Sequence, residues 1–179
     1  MIDSTLVVAK SKAWVEQLIV KYNICPFARR EVERDSIRYV VAGQRKTADV
    51  LEALIKECEF LDQNMDTETT LIMLPAGFEG FYAYLDLLDT ANELLAIQGY
   101  EGIYQLASFH PDYCFEGEKQ DAASNYTNRA PYPTLHLLRE ASLEQALSRY
   151  DDPESIPDRN IAFAEKKGAE FFEKILAGL

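Results

Sequence analysis

The sequence predicts one layered α/β or α+β domain spanning residues 1–179, with a sheet of about four strands packed by helices. Two observations carry this expectation. Short β-branched and aromatic runs alternate with longer amphipathic segments of helical period, the pattern of βαβ units with right-handed crossovers. The length, 179 residues, suits a single sizeable core and would cramp two.

The elements follow in chain order. Val7, Val8, Val15, Leu18, Ile19 and Tyr22 recur near helical spacing beside Trp14, which predicts a helix over 4–22 capped by Asp3 or Ser4. Pro26 then forbids an ordinary helical conformation at Cys25 and suits the first position of a new turn. Residues 36–42 (SIRYVVA) read as a strand. Thr47 is expected to cap a helix to about Gln63, with Val50, Leu51, Leu54, Ile55, Cys58 and Leu61 as its apolar stripe. Cys58 lies on that stripe and reads as core packing. A buried strand over 69–74 stops at Pro75, and a helix over 80–98 ends before Gly99. Strands at 103–109 and 134–139 flank a polar segment, His110–Pro133, whose 24 residues exceed the usual length of a structureless connection. Closing helices are expected over 142–150 and 160–177, separated by DDPESIPDR.

Composition limits the function classes. The net charge is −12, which opposes phosphate backbones and argues against a nucleic-acid partner. No apolar run approaches the roughly 18 residues of a membrane span, so no membrane partner is expected. The first residues lack a signal peptide's cleavage pattern, and three cysteines without a close pair read as reduced thiols of a cytoplasmic protein. The acid runs at 57–62 and 86–93 read as solvated helix faces. P-loop, G-x-G-x-x-G, H-E-x-x-H, C-x-x-C and G-x-S-x-G motifs are absent.

In sheets of this type, ligands gather beyond the carboxyl ends of the strands. Those ends read AGQRKT (42–47), LPAGF (74–78) and FHPDYC (109–114). The last places His110 and Cys114 at H-x3-C spacing. The chain has only one other histidine, His136, which alternates with Leu135 and Leu137 and so faces away from them. Cys25 sits at an expected helix start with Arg29 and Arg30 one turn on, and helix N-termini and cations lower a thiol pKa.

Three readings follow. Cys25, His110, Cys114 and His136 converge as ligands of zinc or iron. Alternatively, Cys25 or Cys114 is an activated thiol with His110 as its acid or base. In the third, these are packed residues, since free cysteine is among the most buried types. Within the long polar segment, Arg129 suits a carboxylate or phosphate, and Asn125 and Asn128 add donors and acceptors to orient a small anionic molecule. Against this, Asn builds turns, and Arg129, Arg139 and Arg159 can pair with surface carboxylates.

The segments ICPFA, SFHPDYCFEG, NYTNRAPYPTLHLLRE and IPDRN resemble a bacterial family catalogued as domain of unknown function 1415. The resemblance spans nearly the whole chain and implies a single domain of this length. It brings no activity, cofactor or residue role. Cys25, His110, Cys114, Arg129 and His136 all fall within the segments that carry it. The expected function is a small-molecule enzyme with a thiol or metal centre at Cys25, His110 and Cys114, His136 serving as ligand or proton carrier. The alternative is a non-catalytic binding or partner module whose cysteines are structural. Oligomeric state is not legible.

Overall fold

A central strand buried on both faces organises the molecule, whose computed structural model describes residues 2–179. Strands β1 (Ile37–Val41), β2 (Thr69–Met73), β3 (Tyr104–Phe109) and β4 (Thr134–Arg139) form one mixed sheet in the order β1-β2-β4-β3. β1 and β2 are parallel, with Ile37 opposite Thr69. β4 runs antiparallel to both neighbours, placing Thr134 opposite Met73 and opposite Phe109. β1, β2 and β3 therefore share one direction, and the last strand fills the slot between β2 and β3 in the reverse sense.

All of β2 is buried, which its unbroken TTLIM run requires. The two-residue period sends its side chains to two cores. Ile72 joins Leu135 and Leu137 of β4 beneath α3 (Thr47–Gln63) and α4 (Phe81–Ile97). Leu71 and Met73 face the opposite layer, with Trp14 of α1 (Ser4–Trp14), Ala164 of α6 (Ser155–Lys167) and Phe172 of α7 (Ala169–Ala177). The α3 stripe is as expected: Val50, Leu54, Cys58 and Leu61 are fully buried, and burial pushes the Cys58 thiol up to about 12. No helix among the described residues is long and apolar enough to cross a membrane.

Several boundaries differ from the sequence reading for identifiable reasons. Asp3 caps α1, accepting from the N–H groups of Thr5 and Leu6 at 3.0 and 3.2 Å. The helix expected over 4–22 changes at Val15 into a π-helical turn through Val20, which widens it where Trp14, Val15 and Ile19 line a cavity. A short α2 (Ala28–Glu33) follows Pro26. Thr47 does not cap α3; it is the first helical residue, and Lys46 at the cap makes no side-chain bond. The helix expected at 142–150 is α5 (Glu140–Ser148), which follows β4 without a loop. The last helix starts earlier, at Ser155, because Pro157 fits its first turn, where a missing N–H costs nothing. Gly168, at φ 78° and ψ 159°, splits it into α6 and α7.

The acid run at 57–62 is not a simple solvated face. Glu57 is 7% exposed and takes a bidentate pair from Arg38 at 2.7 and 3.2 Å. Asp62 accepts from the hydroxyls of Tyr100 and Tyr104. Among the described residues Arg139 pairs with no carboxylate; it donates to the carbonyls of Leu61 in the last turn of α3 and of Asn64 and Thr67 beyond it.

The turn after β2 leaves no room for a side chain at Gly77. Its φ is +92°, and an added Cβ would lie 2.7 Å from the Arg45 Cα. Gly77→Ala is expected to cost about 2 kcal/mol or more in urea unfolding. Gly99→Ala, with φ +80° but open space around it, is expected to cost only about 1 kcal/mol.

Candidate functional site: a cavity behind the sheet

The three strand ends singled out in the sequence do meet at one edge of the sheet, but hydrogen bonds close them. His110 is fully buried between Phe81 and Tyr84, each ring 5.2 Å away. Its Nε2–H donates to the Phe78 carbonyl at 3.0 Å, and its Nδ1 accepts from the Asp112 N–H at 3.0 Å. Both nitrogens are thus used in tying the β2 turn to the β3 turn. Burial lowers the pKa and keeps the ring neutral.

The long segment after β3 is ordered by its own polar residues. Asn125 is fully buried; its amide oxygen accepts from the Phe115 N–H, and its Nδ2 donates to the Lys119 carbonyl at 2.7 Å. Asn128 reaches the Ser108 carbonyl. Arg129 is 8% exposed, and its guanidinium spans the segment, from the Tyr113 carbonyl at 3.1 Å to the Gln120 carbonyl at 2.6 Å. It also stacks on Tyr126 at 4.3 Å, and its own carbonyl takes the Trp14 indole N–H. Cys114 sits inside this network, its sulfur 3.7 Å from the Asn125 amide nitrogen. Asn125, Asn128 and Arg129 are therefore engaged with backbone, and the anion site expected at them is not the arrangement found. The 3₁₀ turn at Ala123–Thr127 completes the segment.

Cys25 lies elsewhere. It packs with the α1–α6–α7 layer, whereas His110 packs under α4 on the other side of the sheet. The centre expected from Cys25, His110 and Cys114 is consequently not assembled. Nor are the four expected zinc or iron ligands: no group of three or more His, Cys, Asp or Glu side chains among the described residues is placed to hold a metal.

What the fold does bring together is Cys25 and His136. Both line a cavity of about 300 Å³ between the sheet, the α1 π-turn, α2 and α5. Its walls are mainly apolar, including Trp14, Ile19, Leu71, Phe109 and Leu143. Its lining runs from Glu68 and Thr69 at the start of β2 across the sheet face to Phe109 of β3. The reversal of β4 explains why the usual location fails: β4 carries His136 on the face away from Leu135 and Leu137, as the alternation predicts, and its own end points to the other edge.

The geometry fixes the His136 tautomer. The Thr69 hydroxyl donates to the Leu137 carbonyl at 2.6 Å, so it accepts from His136 Nε2–H at 2.8 Å. Nδ1 makes no hydrogen bond among the described residues, and His136 lines the cavity. With no charge partner, burial pushes the ring down to about 4. The N–H groups of Phe27 and Ala28 and the charge of Arg159 favour the Cys25 thiolate, as a helix start predicts, but burial outweighs them and raises the thiol.

Sequence reasoning missed the residues that hold this thiol in place. Arg159 donates to the Asn23 carbonyl and to the Tyr150 hydroxyl, and Asn160 donates to the Ile24 carbonyl at 2.8 Å. Asn23 has φ +55°, so its left-handed turn is held by α6. The IPDRN segment thus fastens the ICPFA segment. An Arg-Asn pair beside a helix start was the only available signal.

The class defined by these features is an α+β domain with a partly open cavity behind a mixed sheet. The profile of a family described as protein of unknown function DUF1415 matches residues 6–174, and the chain belongs to that family. No curated protein and no solved structure matched the sequence.

Two outcomes follow from these contacts. Arg129→Met should cost about 2–4 kcal/mol in urea unfolding by leaving the Tyr113 and Gln120 carbonyls without their donor, and should speed amide exchange across 113–127. For His136, the folded pKa lies below the ordinary value near 6.5, so the unfolded chain binds the extra proton first. Its contribution is intact above about pH 6.5 and is lost as pH falls toward 4, a total on the order of 3 kcal/mol. His136→Gln should flatten that part of the stability profile measured by urea unfolding between pH 7.5 and 4.

Proposed function

We propose that the protein is an enzyme acting on a small molecule in the cavity behind the sheet, with His136 and Cys25 as its proton-handling groups. The observation that carries this reading is that the two side chains, distant in sequence, line one largely apolar cavity. His136 enters as a neutral base: Nε2–H is anchored on Thr69, and Nδ1 is open to accept a proton. Cys25 enters as a protonated thiol, since burial holds its proton on. Pushed down to about 4, His136 is a weak base, and the raised Cys25 thiol is a weak acid, so the pair suits a substrate that gives up an acidic proton at one atom and takes a proton at a basic atom. Thr69 is a positioning residue, because its hydroxyl selects the His136 tautomer.

The raised Cys25 thiol favours a second reading, in which the cavity binds a small molecule without turning it over. One experiment separates the two. A small-metabolite extract is incubated with wild-type protein and with His136→Gln, and the mixtures are compared by mass spectrometry. Consumption of a compound by wild type, slowed roughly 10²-fold or more in a folded His136→Gln variant, supports the enzyme. A compound retained by the protein but returned unchanged overturns it in favour of binding. Consumption at the same rate by both proteins overturns the role of His136, and no compound consumed or retained by either counts against both readings.

A further inference from the structure

The charge around the cavity is unlike the charge of the rest of the molecule. The chain carries −12 overall, yet four of its nine arginines line this cavity, Arg30, Arg34, Arg139 and Arg149, against two glutamates, Glu31 and Glu68. Arg139 is committed to backbone carbonyls. The other three stand exposed, on α2, at its end and just after α5. Arg30 and Arg34 share Glu31 only at 3.7 Å each, while Glu31 takes a 2.6 Å bond from the Ser36 hydroxyl. Arg149 has no side-chain partner among the described residues. Guanidinium groups in excess over nearby carboxylates, beside an apolar interior, match a ligand with an apolar body and an oxyanion head. The volume falls at the low end of ligand pockets, about 300–1,000 Å³.

We propose that the cavity takes an amphiphilic oxyanion, an apolar chain or ring ending in a carboxylate or phosphate. The apolar part packs against Trp14, Leu71 and Phe109, and the head meets Arg30, Arg34 and Arg149. This deepens the preceding reading and rests on the cavity being where the protein holds its small molecule. It also moves the anion contact from the long polar segment, where Arg129 is occupied, to two arginines shortly after Cys25 and one at the end of α5.

Trp14 is the only tryptophan in the chain and lines the cavity, so its emission reports occupancy. Decanoate, decyl phosphate and decanol, each below its micelle concentration, are titrated into wild type and an Arg34→Ala/Arg149→Ala variant. Calorimetry on the same samples gives a second readout. Expected is saturable binding of at least one anion about tenfold or more tighter than decanol, with that advantage lost in the variant and decanol unchanged. The tighter anion identifies the head group. Decanol binding as tightly as both anions, or an anion advantage that survives in the variant, overturns the oxyanion proposal and leaves the small-molecule reading standing. Silence from all three ligands in both readouts overturns the proposal, and it removes the cavity as a site for apolar ligands altogether. Ala146→Trp, which fills the cavity from α5, should abolish every true signal; binding that survives it lies elsewhere and overturns the proposal.

Discussion

The constraint on which the rest of the structure depends is that the β2–β4 pair lies in the middle of the sheet with apolar side chains on both faces. Leu71, Ile72 and Met73 are all buried, and the two-residue period forces them to opposite sides. One helix layer can satisfy only half of them. α3 and α4 cover one face as a tight apolar layer. The other face is covered by α1, α6 and α7, and the region toward Thr69 and His136 is bridged by α2 and α5. α2 and α5 have no buried residue, so they cover the sheet without sealing onto it, and the cavity is the space that remains.

Polar chemistry in this chain divides accordingly. Wherever the core is dense, polar groups are used up in structure: His110 joins two turns, Asn125 and Arg129 order the long segment, and Glu57 holds Arg38. No buried side-chain nitrogen or oxygen among the described residues lacks a partner. In such an interior a group left with spare capacity is informative, because burying an unmatched polar atom is costly. His136, a half-buried residue of the cavity lining, has that spare capacity at Nδ1, which is therefore an accessible acceptor and not a buried orphan.

Much of the architecture was legible because its signals are local. The α3 stripe, the strand runs and the alternation around His136 each depend on neighbours within a few residues, and β4 falls at Thr134–Arg139 as read. The site was less legible because its parts are joined by contacts that no spacing encodes. H-x3-C brought His110 and Cys114 near one another in sequence, but the side chains were absorbed by backbone partners. Cys25 and His136 were both singled out, yet their sharing a cavity depends on β4 entering the sheet in reverse. The excess of arginine around that cavity was hidden for the same reason, since Arg30 and Arg34 lie in and just after one short helix and Arg149 follows another far along the chain.

The fastening of Cys25 by α6 has a consequence for the order in which the protein is made. The floor of the cavity is His136, one wall is α5, and the clasp on Asn23 and Ile24 is Arg159 and Asn160. All of these come after residue 133, whereas the thiol they serve is at residue 25. During synthesis the first three strands emerge with the slot between β2 and β3 still empty and both inner edges unpaired. No nascent fragment ending before α6 can hold the complete site. The cavity is thus among the last features to form, and its integrity reports that the chain through α6 has folded.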